Sequence, residues 1–531
     1  MSTKQEIIDV AKKKAVSEKK QVAKNLLVNI ASFLTRMLIG LWLAPYLVTH
    51  VGVAAYGFVA VASIITEYLS IITGSVHGAM SRFMSVNIQR GEFDQANKIL
   101  NTSLIGFLLL IVAHIPVGYL IVDNIDGIFS IPAGLKSDVV WLVIFTLIGY
   151  AFSLTINVFA VPMFALNRLD LMQQIDIVRM IIRIGVIVIC FTFDKPSLVY
   201  VGVGELSSSI LTGLVRLYFG KKLAPWMSVN LKDIDKSKLR ELVTMSGWIV
   251  LNFVGFLMLQ RTDIPVVNRF IGAHEAGQYA AVAQWSMLLS SIIYVFSSLT
   301  APLVLAAYAK DDYHKIEMIL LRSIKILGVL TSLFAGLIMA QSENLLKIWV
   351  GEGIDAIYPL LILMLAYAPV NLSVSPLQSL WAPLNRVKVP GIMTFCSGLL
   401  CIGLSVTLAK VTNLGIYAVA IVVMSIKIFR NVIFLPLYAS RVLKIHPRAF
   451  YKPMFNIILA TGIVFLLARL PQFIGLNVNN WPVLIGTWAV SGLISLPILW
   501  KLIFTAEDRE FAIGLAPQKI KARFPWLIKL V

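Results

Sequence analysis

Fourteen predominantly apolar stretches, each near 20 residues long, follow one another along this chain. A helix of about 20 apolar residues crosses the hydrocarbon core of a bilayer, and lipid offers no hydrogen-bond partners to an unpaired backbone. A chain that is 58% apolar and 14% charged is also unlike a soluble globular protein. We therefore predict an all-α membrane protein with about fourteen transmembrane helices, at about 25–48, 54–80, 99–122, 138–163, 174–193, 197–219, 246–270, 276–301, 318–341, 355–380, 389–410, 413–440, 453–470 and 479–504.

An internal repeat relates the first six spans to the next six. The segment Gly52-Val-Ala-Ala-Tyr-Gly57 returns 220 positions later as Gly272-Ala-His-Glu-Ala-Gly277, and Arg90-Gly-Glu-Phe93 returns as Lys310-Asp-Asp-Tyr313. Leu166-Asn-Arg168 returns as Leu384-Asn-Arg386 at an offset of 218. Three matched junctions in one order predict two six-helix repeats around a central cavity, as in two-lobed transporters. Spans 13 and 14 have no counterpart and are predicted to be two extra C-terminal helices.

Basic residues divide unevenly between the two sides of the predicted membrane. With the N-terminus inside, 33 Lys and Arg fall on the cytoplasmic side and 5 fall in extracytoplasmic loops. Because cytoplasmic loops of membrane proteins carry an excess of Lys and Arg, both termini are predicted to be cytoplasmic. The net charge of +19 is therefore interpreted as topology and attraction to anionic lipid, rather than as nucleic-acid binding.

This topology divides the chain into six regions. They are a basic cytoplasmic N-tail at 1–24, an N-lobe at 25–220, a basic cytoplasmic linker at 221–245, a C-lobe at 246–441, the additional helices at 453–504 and a cytoplasmic C-tail at 505–531. The N-tail is interpreted either as a short interfacial amphipathic helix or as a solvated basic segment.

Ionisable residues inside the spans are the candidate functional residues, because charge in a membrane is costly and usually faces a cavity or a partner. Eight are cations and four are anions, so pairing among them cannot neutralise the set. A structural ion-pair network tends to balance, whereas an anion-binding cavity does not. The twelve residues are Arg36, Glu67, Asp176, Arg179, Arg183, Glu205, Arg216, Arg261, Asp263, Arg269, Lys427 and Arg430.

Depth in the membrane separates four of the cations. Arg216 and Arg269 lie near span ends and are interpreted as snorkelling to the interface. Arg36 lies in the middle of span 1 and Arg261 lies well inside span 7. Both are candidates to face substrate, and the alternative is pairing with Glu67 or Asp263.

The other four cations share helix faces. Lys427 and Arg430 are three residues apart and lie on one face of span 12. Asp176, Arg179 and Arg183 form a stripe on span 5, where Asp176 is expected to neutralise Arg179 and leave Arg183 free. Arginine suits phosphate because its planar fork donates to two oxygens at once, and ion pairing is the alternative role for the stripe.

Three carboxylates, Glu67, Asp263 and Glu205, are candidates for ion coupling. A carboxylate in a low-dielectric site is readily protonated, so each could carry a proton or help to hold a cation. The alternative is that each pairs with a nearby arginine. Pro265 lies two residues after Asp263 and is expected to distort span 7.

No metal site and no cofactor are predicted. The three cysteines, Cys190, Cys396 and Cys401, have no metal-site spacing and are interpreted as small buried hydrophobic residues. No nucleophile with a base and an orienting group stands out, and no long extracytoplasmic loop is present, so an enzyme is not predicted. The absence of a Gly-x-x-x-x-Gly-Lys-Ser/Thr loop leaves an ion gradient, the membrane potential or product removal as the energy source.

Motifs at five places along the chain together resemble one transporter family. They are the junction from Pro45 to Gly57, the junction from Asp263 to Tyr279, the two Leu-Asn-Arg turns, Leu346-Lys-Ile-Trp-Val-Gly351, and Thr505-Ala-Glu-Asp-Arg509. In this order and spacing they are similar to the polysaccharide transporter branch, the Wzx-type flippases, of the multidrug/oligosaccharidyl-lipid/polysaccharide exporter superfamily.

The resemblance implies a multi-pass protein of the bacterial inner membrane. It implies a flippase that moves undecaprenyl-pyrophosphate-linked oligosaccharide to the outer leaflet by alternating access, for O-antigen of lipopolysaccharide, capsule or exopolysaccharide. The implied partners are this lipid-linked substrate, membrane lipids, a polysaccharide polymerase and a chain-length regulator. The implied pyrophosphate site is Arg36, Arg261, Lys427 and Arg430, with Arg179 and Arg183 at the cytoplasmic mouth.

Two other members of the superfamily remain as alternatives. A peptidoglycan lipid-precursor flippase would also have fourteen spans and a basic cavity. A small-molecule or drug antiporter typically has twelve spans and, for a cationic drug, an acidic cavity.

Overall fold

The computed structural model describes residues 2–230, 247–351 and 355–515. Most of the predicted linker at 221–245 and part of the predicted C-tail at 505–531 lie outside the described residues. Regular structure in the described ranges is entirely helical, which confirms the predicted all-α class. The helices are α1 Ser2–Val51, α2 Val53–Arg90, α3 Phe93–Asp123, α4 Ile125–Ile128, α5 Lys136–Ile156, α6 Val161–Ala165, α7 Leu169–Phe193, α8 Leu198–Leu223, α9 Gly247–Arg261, α10 Asp263–Phe270, α11 Ala273–Ser298, α12 Thr300–Tyr308, α13 Tyr313–Ala340, α14 Ser342–Trp349, α15 Tyr358–Ala366, α16 Ala368–Ser373, α17 Lys388–Val411, α18 Ile416–Ile428, α19 Leu435–Leu443, α20 Arg448–Phe473, α21 Trp481–Ile503 and α22 Ala506–Leu515.

Twelve helical segments in the described part of the chain are long and apolar enough to cross a membrane, and the bent pair α9–α10 makes a thirteenth. The remaining predicted span, span 5, is the 25-residue helix α7. Asp176, Arg179 and Arg183 lie in its interior. All fourteen predicted spans therefore correspond to helices.

The chain forms two compact units. The first contains Met1–Leu257 and Asn268–Gly277, and the second contains Met258–Val267 and Gln278–Val531. The junction α6–α7 in the first unit and the junction before α17 in the second have the same local geometry.

These two junctions contain the repeated Leu-Asn-Arg turns. Asn167 and Asn385 both adopt left-handed backbone, at φ 56° and 52°. Asparagine tolerates this region better than most residues. The next amide then donates back into the preceding helical turn, from Arg168 to Met163 O at 2.7 Å and from Arg386 to Trp381 O at 2.8 Å. The repeat in the sequence is therefore a repeat of backbone geometry.

Two equivalent glycines of the repeat pack against each other within the first unit. A Cβ on Gly57 would lie 2.9 Å from Gly277 N, and a Cβ on Gly277 would lie 1.9 Å from Val53 O. Any side chain at Gly277 would therefore overlap the α2 backbone. The repeated Gly-x-x-x-x-Gly spacing is explained by this contact at its second glycine.

The two additional helices, α20 and α21, are built into the second unit. Gly328 and Gly336 on α13 let α20 approach so closely that a Cβ would lie 2.3 Å from Ile457 and 2.7 Å from Val464. Gln341 Nε2 donates to Ala468 O at 2.7 Å, and Trp488 Nε1 on α21 donates to Leu337 O at 3.1 Å. Small residues at such contacts are typical of helix packing in membranes.

A buried carboxylate fixes the beginning of the first span. The Asp170 side chain is 0% exposed and receives Lys24 Nζ at 2.6 Å, Gln21 Nε2 at 2.8 Å and Arg168 Nε at 3.1 Å. Burial by itself raises the pKa of Asp170, but these donors more than offset it and lower the pKa to about 2. The predicted N-tail is the first part of α1, which runs without a break from Ser2 to Val51.

A second buried carboxylate holds the C-terminal helix α22 in the second unit. Asp508 pairs with Lys325 and, at 3.4 Å, with Arg322 on α13, and Thr505 Oγ1 donates to it at 2.7 Å. Burial raises the pKa of Asp508, whereas Lys325 and Thr505 lower it, and the net shift is downward. The motif at 505–509 is therefore a helix N-terminus with an ion-pair anchor.

Candidate functional site

In the first unit, Glu205 on α8 binds two cations of α7. Its Oε1 accepts from Arg179 Nη2 at 2.5 Å, and its Oε2 lies 3.3 Å from Arg183 Nε. Arg179 also donates to Ser209 Oγ at 3.1 Å. The three side chains are 32%, 29% and 19% exposed for Arg179, Arg183 and Glu205. Together they carry one net positive charge.

Asp176, one turn away on α7, pairs with a different arginine. Its Oδ1 accepts from Arg216 Nη2 at 2.6 Å, and Arg216 also donates to Asn157. The prediction that Asp176 neutralises Arg179 and leaves Arg183 free is therefore wrong. The snorkelling of Arg216 is wrong for the same reason, because α7 and α8 pack together and the guanidinium reaches a carboxylate across that contact.

The other ionisable span residues of the first unit are more dispersed. Arg36 is exposed on α1, and its Nη2 donates to Gln173 Oε1 at 3.2 Å. No described carboxylate of this unit forms a salt bridge with Arg36. Glu67 is partly buried on α2, and Arg269 is exposed with its carbonyl accepting from Ser130 Oγ.

Span 7 is broken between Arg261 and Asp263, within its segment Met258–Val267 that belongs to the second unit. The axes of α9 and α10 differ by 50°. Pro265 has no amide to bond the Arg261 carbonyl, and its ring crowds that carbonyl, so the helix cannot continue regularly. The expected distortion by Pro265 is confirmed. Arg261 ends the first segment, and its Nη1 donates to Met287 Sδ at 3.3 Å.

Asp263 begins the second segment and is held by two donors. It accepts from Ile264 N at 3.0 Å and from the hydroxyl of Tyr279, which is 1% exposed. Lys427 on α18 lies within electrostatic range of Asp263 and Tyr367. Tyr279 was missed from the sequence, although it stands in a repeated motif, because only charged residues inside spans were considered.

Arg430 lies in a π-helical segment, Phe429–Phe434, between α18 and α19. It is 7% exposed, and every acceptor that it contacts is neutral. Thr394 Oγ1 accepts from Nη2 at 2.8 Å and from Nε at 3.1 Å, and Asn431 Oδ1 accepts from Nη1 at 2.6 Å. Asn431 Nδ2 in turn donates to Asn371 Oδ1 at 2.6 Å.

The surplus of positive charge in the predicted spans is two in each unit, but the cations are paired differently in the two units. Within the described second unit, Arg261, Lys427 and Arg430 stand against a single span carboxylate, Asp263, and neither Lys427 nor Arg430 forms a salt bridge. The arginines of α7 and α8 in the first unit are all paired with carboxylates. Among the described span residues, the buried Arg430 without a salt bridge therefore lies in the second unit, and the exposed Arg36 without one lies in the first.

The described residues of both units offer no metal centre. No group of three or more His, Cys, Asp or Glu that could hold a metal occurs among the described residues. The cysteines do not share one environment, because Cys401 is buried, Cys190 is partly exposed and Cys396 is exposed. The interpretation of all three as buried hydrophobic residues is therefore wrong for Cys396.

Comparisons with known proteins agree with a transporter fold. The chain is 28% identical over 490 residues to "Uncharacterized membrane protein EpsK" of Bacillus subtilis (strain 168), covering 92% of this chain and 97% of that protein. The fold is similar to that of the lipid II flippase MurJ in an inward closed conformation, with TM-score 0.69, 17% identity and coverage of 90% and 99%. It is also similar to an inward-facing multidrug resistance MATE family transporter of the MOP superfamily, with TM-score 0.61, 17% identity and coverage of 78% and 94%.

A sequence profile of a protein family also matches the chain. The profile described as "Polysaccharide biosynthesis protein" matches residues 22–305, which is more than half of the chain. The match includes α1 to α8, the broken span and the first repeated junction of the second half. The chain is a multi-pass membrane protein with a MOP-type transporter fold, and it belongs to the polysaccharide biosynthesis protein family.

Proposed function

We propose that this protein is a flippase for undecaprenyl-pyrophosphate-linked oligosaccharide. It moves repeat units from the cytoplasmic to the outer leaflet by alternating access, for assembly of O-antigen, capsule or exopolysaccharide. The lipid tail of such a substrate can stay in the bilayer, whereas its sugars and pyrophosphate cannot cross hydrocarbon unaided. The protein therefore has to supply fixed cations within the membrane, where a charged group is otherwise costly.

The observation that carries the proposal is a pair of cations without salt bridges on the helix Ile416–Leu443. Lys427 and Arg430 lie in a membrane span of the second unit, and neither forms a salt bridge with the described residues of that unit. Arg430 is 7% exposed and contacts only neutral acceptors. A buried cation without an anionic partner is unfavourable, so such a site favours the arrival of an anion. Pyrophosphate offers several oxygens to a lysine and to the fork of an arginine.

The remaining candidate cations take different roles in this proposal. Arg36 and Arg261 are the further candidates to bind pyrophosphate, and in the structure Arg36 donates to Gln173 and Arg261 donates to Met287. Arg179 and Arg183 are bound to Glu205 and act at the cytoplasmic mouth through the single net positive charge of that triad.

Asp263 is the strongest candidate for ion coupling. It lies at the break in span 7 and within electrostatic range of Lys427. Protonation of Asp263 would remove a negative charge near this cation and so favour anion binding, which links a proton to the substrate. Glu67 and Glu205 are the other candidates, and Glu205 is already engaged by two arginines.

Export by living cells tests the substrate proposal. Lys427→Gln should abolish complementation of a flippase-null strain with normal membrane abundance, because it removes the charge and leaves a polar side chain only one atom shorter. Lys427→Arg keeps the charge and should retain partial activity. Full complementation by Lys427→Gln would show that this lysine does not bind the substrate, and the proposal would lose the observation on which it depends.

Proteoliposomes loaded with lipid-linked oligosaccharide test coupling. An imposed pH gradient should accelerate flipping by the wild type and should not accelerate flipping by Asp263→Asn. Flipping that is independent of the gradient in the wild type would exclude proton coupling by any of the three carboxylates. The same vesicles, loaded instead with the peptidoglycan precursor, distinguish the proposed cargo from that of the alternative flippase.

The proposal also includes the setting of the protein. The termini are cytoplasmic in a bacterial inner membrane, and a polymerase and a chain-length regulator receive the flipped substrate. Reporter fusions at the two ends of the chain test the orientation, which an extracytoplasmic signal at either end would overturn.

A further inference from the structure

We propose that Thr394, Asn371 and Asn431 are positioning residues that hold the Arg430 guanidinium for a phosphate oxygen. This inference rests on the proposed function and deepens it, because it assigns the part of the site that orients the pyrophosphate. None of the three residues is charged. Their role follows from the π-helical segment, from the repeat and from the hydrogen bonds of Arg430.

The π-helical segment accommodates extra residues in one copy of the repeat. The helix α8 has 26 residues, and its counterpart Ile416–Leu443 has 28. Their first residues, Leu198 and Ile416, differ by 218 positions, whereas their last residues, Leu223 and Leu443, differ by 220. The insertion therefore lies within this helix, and the π turn with Arg430 is where the helix is wider. Such turns are frequent at functional sites.

The repeat also shows what Thr394 replaces. Asp176 lies 218 positions before Thr394, at the same offset as the matched Leu-Asn-Arg turns. In the first unit Asp176 pairs with an arginine of the following helix, at 2.6 Å. In the second unit the hydroxyl of Thr394 accepts from an arginine of the following helix, at 2.8 Å. In both units this position therefore contacts an arginine of the following helix, although Arg216 corresponds by offset to Phe434 and not to Arg430, and only in the first unit does the contact supply a neutralising charge.

The donors of Arg430 are only partly used by these contacts. A guanidinium has five N–H groups in a fixed plane. Thr394 accepts from Nε and Nη2, and Asn431 accepts from Nη1, so three groups have acceptors and two remain. Asn371 accepts from Asn431 Nδ2, which keeps the oxygen of Asn431 on the guanidinium. The network thus fixes the plane of Arg430 without consuming its charge.

A pair of threonine substitutions tests the positioning. The probe is farnesyl pyrophosphate, titrated onto the purified full-length protein in nanodiscs. Thr394→Val keeps the shape and removes the acceptor, so we expect about tenfold weaker binding, since a lost hydrogen bond to a charged group has about that effect. Thr394→Ser keeps the hydroxyl and should bind within about twofold of the wild type. A purely structural role would lower the unfolding temperature of Thr394→Val and leave the Kd of the folded protein unchanged.

A substitution at Asn371 tests whether Arg430 must remain without a carboxylate partner in order to bind the anion. Asn371→Asp brings a carboxylate to the network and should abolish binding of farnesyl pyrophosphate while raising the unfolding temperature, because it neutralises a buried cation. The control is Asn456→Asp. Asn456 is a partly buried amide of the same unit, and its Nδ2 donates to Leu502 O at 2.9 Å, remote from Arg430 in the hydrogen-bond network. This control should bind the probe as the wild type does.

The outcomes separate this inference from the proposed function. If the wild type binds farnesyl pyrophosphate and Thr394→Val and Asn371→Asp bind it equally well, the positioning role is overturned and the flippase proposal stands. Absence of wild-type binding, with inorganic pyrophosphate also inert, would overturn both. Loss of binding in these two variants, with binding retained in Thr394→Ser and Asn456→Asp, supports the inference.

Discussion

Removal of the Glu205 charge should destabilise the first unit and release two arginines. In Glu205→Gln the amide keeps the size of the side chain but cannot neutralise Arg179 and Arg183, which lie at 2.5 and 3.3 Å from the native carboxylate. The variant therefore distinguishes a structural ion pair from a site for substrate or protons. A structural ion pair predicts lower stability of the variant, whereas a site for substrate or protons predicts a stable variant that does not export.

The magnitude follows from the exposure of the three side chains. Breaking a fully buried pair costs roughly 3–5 kcal/mol, whereas an exposed pair contributes about 0–1 kcal/mol. Glu205 is 19% exposed and the arginines are 32% and 29% exposed, so the cost lies between these limits. We expect about 2 kcal/mol, or a fall of about 4–8 °C in unfolding temperature for a unit of this size.

Thermal unfolding of the purified protein, followed by tryptophan fluorescence, measures this fall. Arg179→Gln should lower the unfolding temperature as well, and the double variant should lose about 1–2 kcal/mol less than the sum of the single variants, because both remove one interaction. Arg269→Gln is the matched control. It removes an exposed cation of the same unit and should leave the unfolding temperature unchanged.

Export must be compared per folded molecule. If the pair is structural, export by Glu205→Gln should decline only as far as membrane abundance declines. A variant that unfolds at the wild-type temperature and yet exports nothing would refute the structural reading, and it would assign Glu205 to ion coupling.

Three further predictions concern other parts of the chain. The carboxylate of Asp170, with its pKa lowered to about 2, should contribute about 2 kcal/mol or less of stability, because its partner Lys24 is half exposed. Since the pKa is lower in the folded state, Asp170→Asn should be less stable than the wild type at pH 7. In thermal unfolding this difference should disappear as the pH falls from about 4 towards 2. Gly277→Ala should sharply reduce membrane abundance on immunoblots, because its Cβ would lie 1.9 Å from a carbonyl oxygen, whereas Gly78→Ala, whose Cβ meets nothing within 4 Å, should not. Arg36→Ala should abolish export at normal abundance, and full complementation of a flippase-null strain would contradict its assignment to the anion site.

The sequence predicts most of the scaffold because its signals are local. Apolar length locates the spans, and left-handed asparagines mark the repeated turns at Asn167 and Asn385. The proline two residues after Asp263 predicts the break in span 7 because it acts on the backbone within one turn. Each of these inferences needs only residues that are neighbours in the chain.

Pairing of charges could not be predicted in the same way, because it depends on contacts between helices. Asp176 and Arg179 are neighbours on α7, yet the first binds Arg216 and the second binds Glu205, both on α8. Spacing along one helix offers a contact of a few tenths of a kcal/mol, whereas packing against a second helix decides which buried charges meet. The neutral residues around Arg430 were missed for the same reason.

The change of repeat offset from 218 to 220 along this helix emerges only from the helix ends in the structure, and it coincides with the site. The two copies share their turns, but one carries extra residues inside a membrane helix, where an insertion cannot be absorbed by a loop. A π turn is the way in which a helix accommodates such an insertion. In this protein that turn contains Arg430, held by a threonine where the other copy has Asp176. Departure from the repeat, in length and in charge, therefore distinguishes Arg430, which we propose binds the anion, from the arginines of α7 and α8, which are paired with carboxylates.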